Sequence, residues 1–356
     1  MRNQIIFAAL LQACFASNAY ASDTNMKLCS KAVEKFRVTG NCTEEGKLAV
    51  VSKSGLPEDY MASLVESKRR FEQHFSPISA PLILVVESEI SEASLQVAHS
   101  EAVLLLPWQS LQKQTAGMEG EIRKQIEAQF PNLDVANREA VVKQFLDKFR
   151  PRLADGERIS ATERGTVQHE AAHLWFSAFF AGSNKTLKQG EYGSAAPDWL
   201  DEVAAILAEN DTLTQNRRAA LAKLITNKAE LVSLDSVLKI QHPLLKKLDQ
   251  SVLSKSQGDA GVTVKFNVQK ASEKDNQGSS LSTQDYYTIC RALADFFIEI
   301  SNNVMIFESV ASHIKDGGTF DLWLTKGKIA DVNSRLKLNE RWTLWLKSKN
   351  AEAAKN

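Results

Sequence analysis

The chain has no apolar run that approaches the eighteen or so uncharged residues a membrane-spanning helix needs, so it is expected to be soluble or peripherally attached. It has no charge excess either. Its 43 Lys and Arg balance 43 Asp and Glu, and no basic cluster breaks the balance, which argues against a nucleic-acid partner. Internal repeats and low-complexity tracts are missing as well, which excludes a solenoid or a linker protein. Cysteine is scarce, four residues in 356, and speaks of compartment rather than chemistry.

What is present begins with a leader-like segment. Arg2 forms a short basic region, residues 5–11 an apolar core, and Ala19-Tyr20-Ala21 a small-residue cleavage site, so a signal peptide over 1–21 is expected. The protein would then be exported, periplasmic or secreted. Leu11-Gln12-Ala13-Cys14 resembles a lipobox, and lipid anchoring through Cys14 is the lesser alternative, because Gln12 fits it poorly. In an oxidising compartment Cys29 and Cys42 are expected to close a local disulfide, and Cys290, in an apolar helical context, to be a buried thiol.

Periodicity predicts helices over 26–37 and 57–74, with a turn at Gly40-Asn41-Cys42 between them. Two short apolar runs, 81–86 and 102–106, read as strands; the second is a core strand or, alternatively, an edge that pairs with a peptide. Helical patterning returns in 119–130, 135–149, 161–180 and 198–209, with Asp198 as N-cap of the last. The remainder is mostly helical, apart from a polar break over 254–282. The expected fold class is α+β, predominantly helical, with a small early sheet and a C-terminal helical lobe. The expected domains are an N-terminal helical segment over 22–80, a catalytic core over 81–210 and the helical lobe over 211–356.

The chemistry concentrates in His169-Glu170-Ala171-Ala172-His173, inside an apolar helix. Residues four apart share a helix face, so both imidazoles can reach one ion, while Glu170 lies one step round the same turn. Leu174, Trp175, Phe176, Phe179 and Phe180 crowd the motif, and buried polar groups in such surroundings need partners, which a metal provides. A catalytic zinc has three protein ligands and an open fourth position. Candidates for the third are Glu202, Asp201, Asp198 and Glu191; Asp201 and Glu202 point about 100° apart on a helix, so only one of them can face the metal.

The string Trp199-Leu200-Asp201-Glu202-Val203-Ala204-Ala205, twenty-nine residues beyond His173 at its glutamate, resembles the second half of the gluzincin zinc-peptidase pattern, Trp-Leu-x-Glu-Gly-x-Ala. The resemblance covers about 167–209, and Val203 departs from it where many relatives carry glycine. It implies a zincin-like catalytic domain holding one Zn²⁺ through His169, His173 and Glu202, with Glu170 as general base. Asp285-Tyr286-Tyr287-Thr288 resembles the region that carries the catalytic tyrosine in these enzymes, which leaves Tyr286 and Tyr287 as alternatives. His242, in a segment similar to a linking stretch of bacterial relatives, is expected to be structural. The implied activity is hydrolysis of a peptide or protein substrate by a zinc-activated water. The alternative is an exported protein that holds zinc and binds a peptide or partner without catalysis. No Gly-Ala-Met-Glu-Asn strand is present, so aminopeptidase activity is not supported.

Overall fold

Short apolar strands alternate with amphipathic helices in the first half of the chain, and helices alone follow. The computed structural model describes residues 26–53, 57–147, 159–180, 194–227, 232–240, 242–243 and 282–353. The expected leader, the break at Gly182-Ser183-Asn184, Glu191 and nearly all of 254–282 lie outside the described residues. The chain divides into two compact units: Met1–Asn184 with Ala208–Leu213, and Lys185–Leu207 with Thr214–Asn356.

The first unit opens with helix α1 (Leu28–Glu34) and strands β1 (Asn41–Glu45) and β2 (Leu48–Ser52). Helix α2 (Pro57–Phe71), strand β3 (Leu82–Val86), helix α3 (Glu92–Ser100) and strand β4 (Leu104–Trp108) follow. The sheet order is β1-β2-β3-β4; the first pair is antiparallel, and the other two are parallel. Parallel neighbours require crossovers, which α2 and α3 supply. All five residues of β2 and of β3 are buried, as expected of strands covered on both faces. Alternation splits their side chains: Ala49, Val51, Ile83, Val85 and Leu105 join Leu28, Ala32 and Phe36 of the N-terminal segment in one core. β4 pairs with β3 alone among the described residues, which makes it an edge, although its leucines are buried.

The expected turn at Gly40-Asn41-Cys42 is instead the start of β1. The reversal comes at Gly46-Lys47, where Gly46 adopts a left-handed φ of 59° and joins two strands in a hairpin. The polar string Asn41-Cys42-Thr43-Glu44-Glu45 hides its strand character because only its neighbour β2 is apolar. Cys29 and Cys42 form the expected disulfide, tying α1 to this hairpin. The strand expected over 102–106 starts two residues late, since Ala102 takes a positive φ of 53° to end the turn after α3.

Helices α4 (Leu111–Gln129) and α5 (Val135–Asp147) pack on each other around Ile122, Ile126 and Val142. Helix α6 (Ala161–Phe180) follows with the bounds read from the sequence. It packs chiefly against α2 and also against β4. Small residues make the close approach possible: Ser67 Oγ donates to the Gln168 carbonyl at 2.9 Å, and Gln168 Nε2 donates to the Ser63 carbonyl at 3.3 Å. Glu163, buried near the start of α6, accepts from Tyr60 Oη at 2.7 Å, Trp108 Nε1 at 3.0 Å and the Leu111 amide at 3.2 Å. One carboxylate thus locks α6 to α2, β4 and the start of α4.

The second unit contains α7 (Asp198–Leu207), α8 (Asp211–Asn227, from Thr214 on), α9 (Leu234–Lys239) and α10 (Thr283–Ser301). Helices α11 (Ile306–Lys315), α12 (Phe320–Thr325) and α13 (Arg335–Ala353) complete it. A capping box between Ser282 and Asp285 starts α10, so Tyr286 and Tyr287 lie inside that helix. α7 packs against α10 and α11, with Trp199 edge-on to Phe320 at 5.5 Å. Phe296, Trp342 and Trp345 form a second aromatic group, and Trp342 Nε1 donates to the Val232 carbonyl at 2.6 Å. Among the described residues, no helix is long and apolar enough to cross a membrane.

Candidate metal centre

Thirteen of the twenty residues of α6 are buried, His169 and His173 among them. A histidine pair one helical turn apart on an apolar face must satisfy its ring nitrogens internally. The rings stand nearly perpendicular, with centroids 4.7 Å apart, and their Nε2 atoms approach to 3.1 Å. Two nitrogens about 2.05 Å from one ion at a tetrahedral angle would lie about 3.3 Å apart, so the observed spacing suits two donors to one metal.

The other nitrogen of His169 explains its orientation. Nδ1 lies 2.8 Å from Oε1 of Glu209, which is itself fully buried. A proton on Nδ1 donated to this carboxylate fixes the tautomer and leaves the Nε2 lone pair for a metal. The sequence reading did not find Glu209. The available signal was the helical period, since Glu209 lies seven residues, about two turns, beyond Glu202.

Gly165 shows how Glu209 is brought there. A Cβ at this position would meet Leu213 Cδ1 at 2.7 Å and Asn210 Oδ1 at 2.8 Å, so only glycine lets residues 210–213 run so close to α6. Asn210 fastens the approach by donating to the Ala161 carbonyl at 2.6 Å, and Arg70 Nη1 donates to the Glu209 carbonyl at 2.9 Å. Glu209 is thereby set one turn along α6 from Gly165, level with His169. Glu170, next to His169, is not among the buried residues of the helix and keeps partial access to solvent.

α7 is ten residues long and buries nine of them, including Asp201 and Glu202. The helix begins at Asp198, as expected, which makes Asp198 its first residue and not the cap before it, and it ends at Leu207. The Asp198 carboxylate instead accepts the His242 amide at 2.7 Å. His242 is fully buried, with Nε2 3.5 Å from Oε2 of Glu202. Its ring is edge-on to Tyr286 at 5.1 Å and tilted against Tyr287 at 5.9 Å.

The two tyrosines differ. Tyr287 carries the Arg217 guanidinium over its ring at 4.7 Å. The buried Tyr286 hydroxyl lies beside the Cys290 thiol and makes no regular hydrogen bond to a described residue. Burial pushes the Tyr286 phenol well above its ordinary value, and the nearby Cys290, Glu202 and Asp198 push it the same way. Cys290 is fully buried as expected, and burial raises its thiol too.

His169, His173 and Glu202 each offer one ligand atom within 4.8 Å of the other two. All three residues are buried, and together they could hold a metal ion. Neither Asp198 nor Asp201 enters this group. Comparison with protein-family models, curated proteins and solved structures returns no match.

Proposed function

We propose that this chain is an exported zinc-dependent peptidase of the gluzincin type, with a zincin-like catalytic domain. The observation that carries the proposal is the grouping of His169, His173 and Glu202 with Glu170 adjacent in sequence, partly open to solvent. Two imidazole nitrogens and one carboxylate suit zinc better than calcium or magnesium, which prefer oxygen donors throughout. Three ligands also leave the fourth position that catalysis needs.

When bound, zinc would supply Lewis acidity, acidifying water and polarising a scissile carbonyl. The chain's own residues carry the proton. Glu170 takes it from the attacking water as the new C–O bond forms, then delivers it to the amine as the C–N bond breaks. Tyr286 is favoured over Tyr287 as donor to the developing oxyanion, because the Tyr287 ring is already engaged by Arg217. The raised value of Tyr286 keeps the phenol protonated, as a donor must be. β4 is an edge of the sheet, a position from which an extended peptide can be paired, although Pro107 lacks an amide proton to contribute. Export is supported by the leader-like start and by the Cys29–Cys42 disulfide.

Incubating the zinc-loaded protein with a diverse peptide mixture tests this, with Glu170→Gln as the blank. New peptide termini should appear with the wild type, and the variant should produce them about 10²–10⁴-fold more slowly while keeping its zinc. Equal rates in the two proteins would contradict the mechanism. A second reading, a zinc-holding protein that binds a peptide or partner without catalysis, is favoured by one observation, the near-complete burial of all three ligands. A zinc-loaded wild type that cleaves nothing in the mixture would favour it.

A further inference from the structure

Glu202 is a fully buried carboxylate on a helix that is mostly apolar apart from Asp198 and Asp201, so its direction depends on the polar groups that meet it. One such group comes from forty residues downstream. His242 reaches Glu202 Oε2 with Nε2 at 3.5 Å, within ion-pair range though longer than a good hydrogen bond. Three contacts fix the imidazole. The backbone amide of His242 is held by Asp198, which lies one helical turn before Glu202 on the same face of α7. The ring is closed in by Tyr286 on one side and Tyr287 on another. Tyr287 is in turn covered by Arg217, itself buried.

We propose that His242 is a positioning residue for the candidate metal centre: its Nε2–H side holds one oxygen of Glu202 and so presents the carboxylate for ligation. The proposal rests on Glu202 being a ligand, as the function proposed above requires. His242 lies outside the group of ligand atoms that converge, so it is assigned to Glu202 and not to the metal. The arrangement mirrors the one at His169, where a buried carboxylate holds an imidazole; here a buried imidazole holds a carboxylate. Outer partners of this kind typically contribute about 10–100-fold to metal affinity.

The test uses the full chain and a zinc competition titration against a chromophoric chelator, read beside the d–d spectrum of the cobalt-substituted protein. His242→Leu keeps the volume and removes the donor, whereas His242→Gln keeps an amide N–H near the place of Nε2. The expected result is zinc affinity about 10–100-fold weaker in His242→Leu, largely restored in His242→Gln, with about one zinc still bound by each at saturation. The cobalt spectrum should shift in His242→Leu alone. Wild-type affinity in His242→Leu would overturn the proposal, as would equal weakening in both variants, which would make the residue a packing element. Loss of zinc from both variants even at saturation would make His242 a ligand and overturn it as well. Should His242→Leu fail to fold, Asp198→Ala decides: it frees the backbone while leaving the ring, and must weaken zinc in the same direction by a smaller factor. Unchanged affinity there would overturn the proposal. A wild type that binds no zinc is a separate outcome; it removes the metal reading itself and the proposal with it.

Discussion

Helix α6 uses twenty residues, a sheet and a long partner helix to hold two histidines, whereas α7 holds one glutamate in ten residues and packs chiefly against two helices, α10 and α11. The two also differ in how their polar residues are supported. His169 is met at 2.8 Å by Glu209, a charged partner drawn close by the narrow passage at Gly165. Glu202 is met at the longer distance of 3.5 Å by His242, whose place depends on aromatic packing. The contrast teaches that the histidine side is held by a tight hydrogen bond, and the glutamate side by the shape of its surroundings. Substitutions that remove charge should act mainly on the first, and substitutions that alter packing on the second.

The largest effect is expected on the glutamate side. Tyr286→Phe removes only a hydroxyl, yet should lower kcat by about 10²–10³-fold if that hydroxyl meets the oxyanion, with KM little changed. Tyr287→Phe should leave kcat within a few-fold; steady-state assays of the pair on one cleaved peptide separate the alternatives, and equal losses would refute the assignment. On the histidine side, Glu209→Gln should weaken zinc by about 10–100-fold without changing the stoichiometry at saturation. If a neutral amide serves as well as the carboxylate there, the charge is not what holds His169. Gly165→Ala probes the same contact indirectly and should cost about 1–3 kcal/mol of stability by forcing Leu213 aside, measured by urea denaturation. A zinc affinity loss should accompany it, because Glu209 moves with that segment.

How much of this was legible in the sequence follows from the same contrast. The bounds of α6 were readable because its apolar content ends in a glycine-rich break and its motif has helical spacing. Glu202 was reachable because a second motif marks it. Glu209 carries no motif, and the segment around His242 marked that residue only as structural. Their importance arises from contacts across 40 residues each, which only the folded chain brings about. The β1–β2 hairpin was missed for a local reason: Gly40 drew attention as a turn former, while the reversal sits at Gly46 beside a strand with a polar sequence. The sheet order, too, depends on pairings that short apolar runs do not encode by themselves.

The smallest effect concerns acid. Glu66, in the first unit, is held down to about 2 by hydrogen bonds from Arg69 and then Arg70. Burial alone would raise Asp295, in the second unit, but bonds from Arg218 and the charge of Arg291 outweigh it and leave the carboxyl below its ordinary value. A depressed carboxyl contributes stability above its unfolded value, near about 4, and loses it as pH falls through the folded one. Urea midpoints should therefore fall as pH drops below about 4. Asp295→Asn should flatten that decline more than Glu66→Gln, whose carboxylate is exposed enough for solvent to screen it. The reverse order would show that burial does not set the size of the effect.

The central claim is that His169, His173 and Glu202 hold one zinc ion, and elemental analysis of the purified protein beside His173→Ala tests it most directly. The account predicts about one zinc per chain in the wild type and almost none in the variant, with both folded. A wild type that holds no metal after zinc is supplied, or a His173→Ala variant that keeps it, would contradict the account.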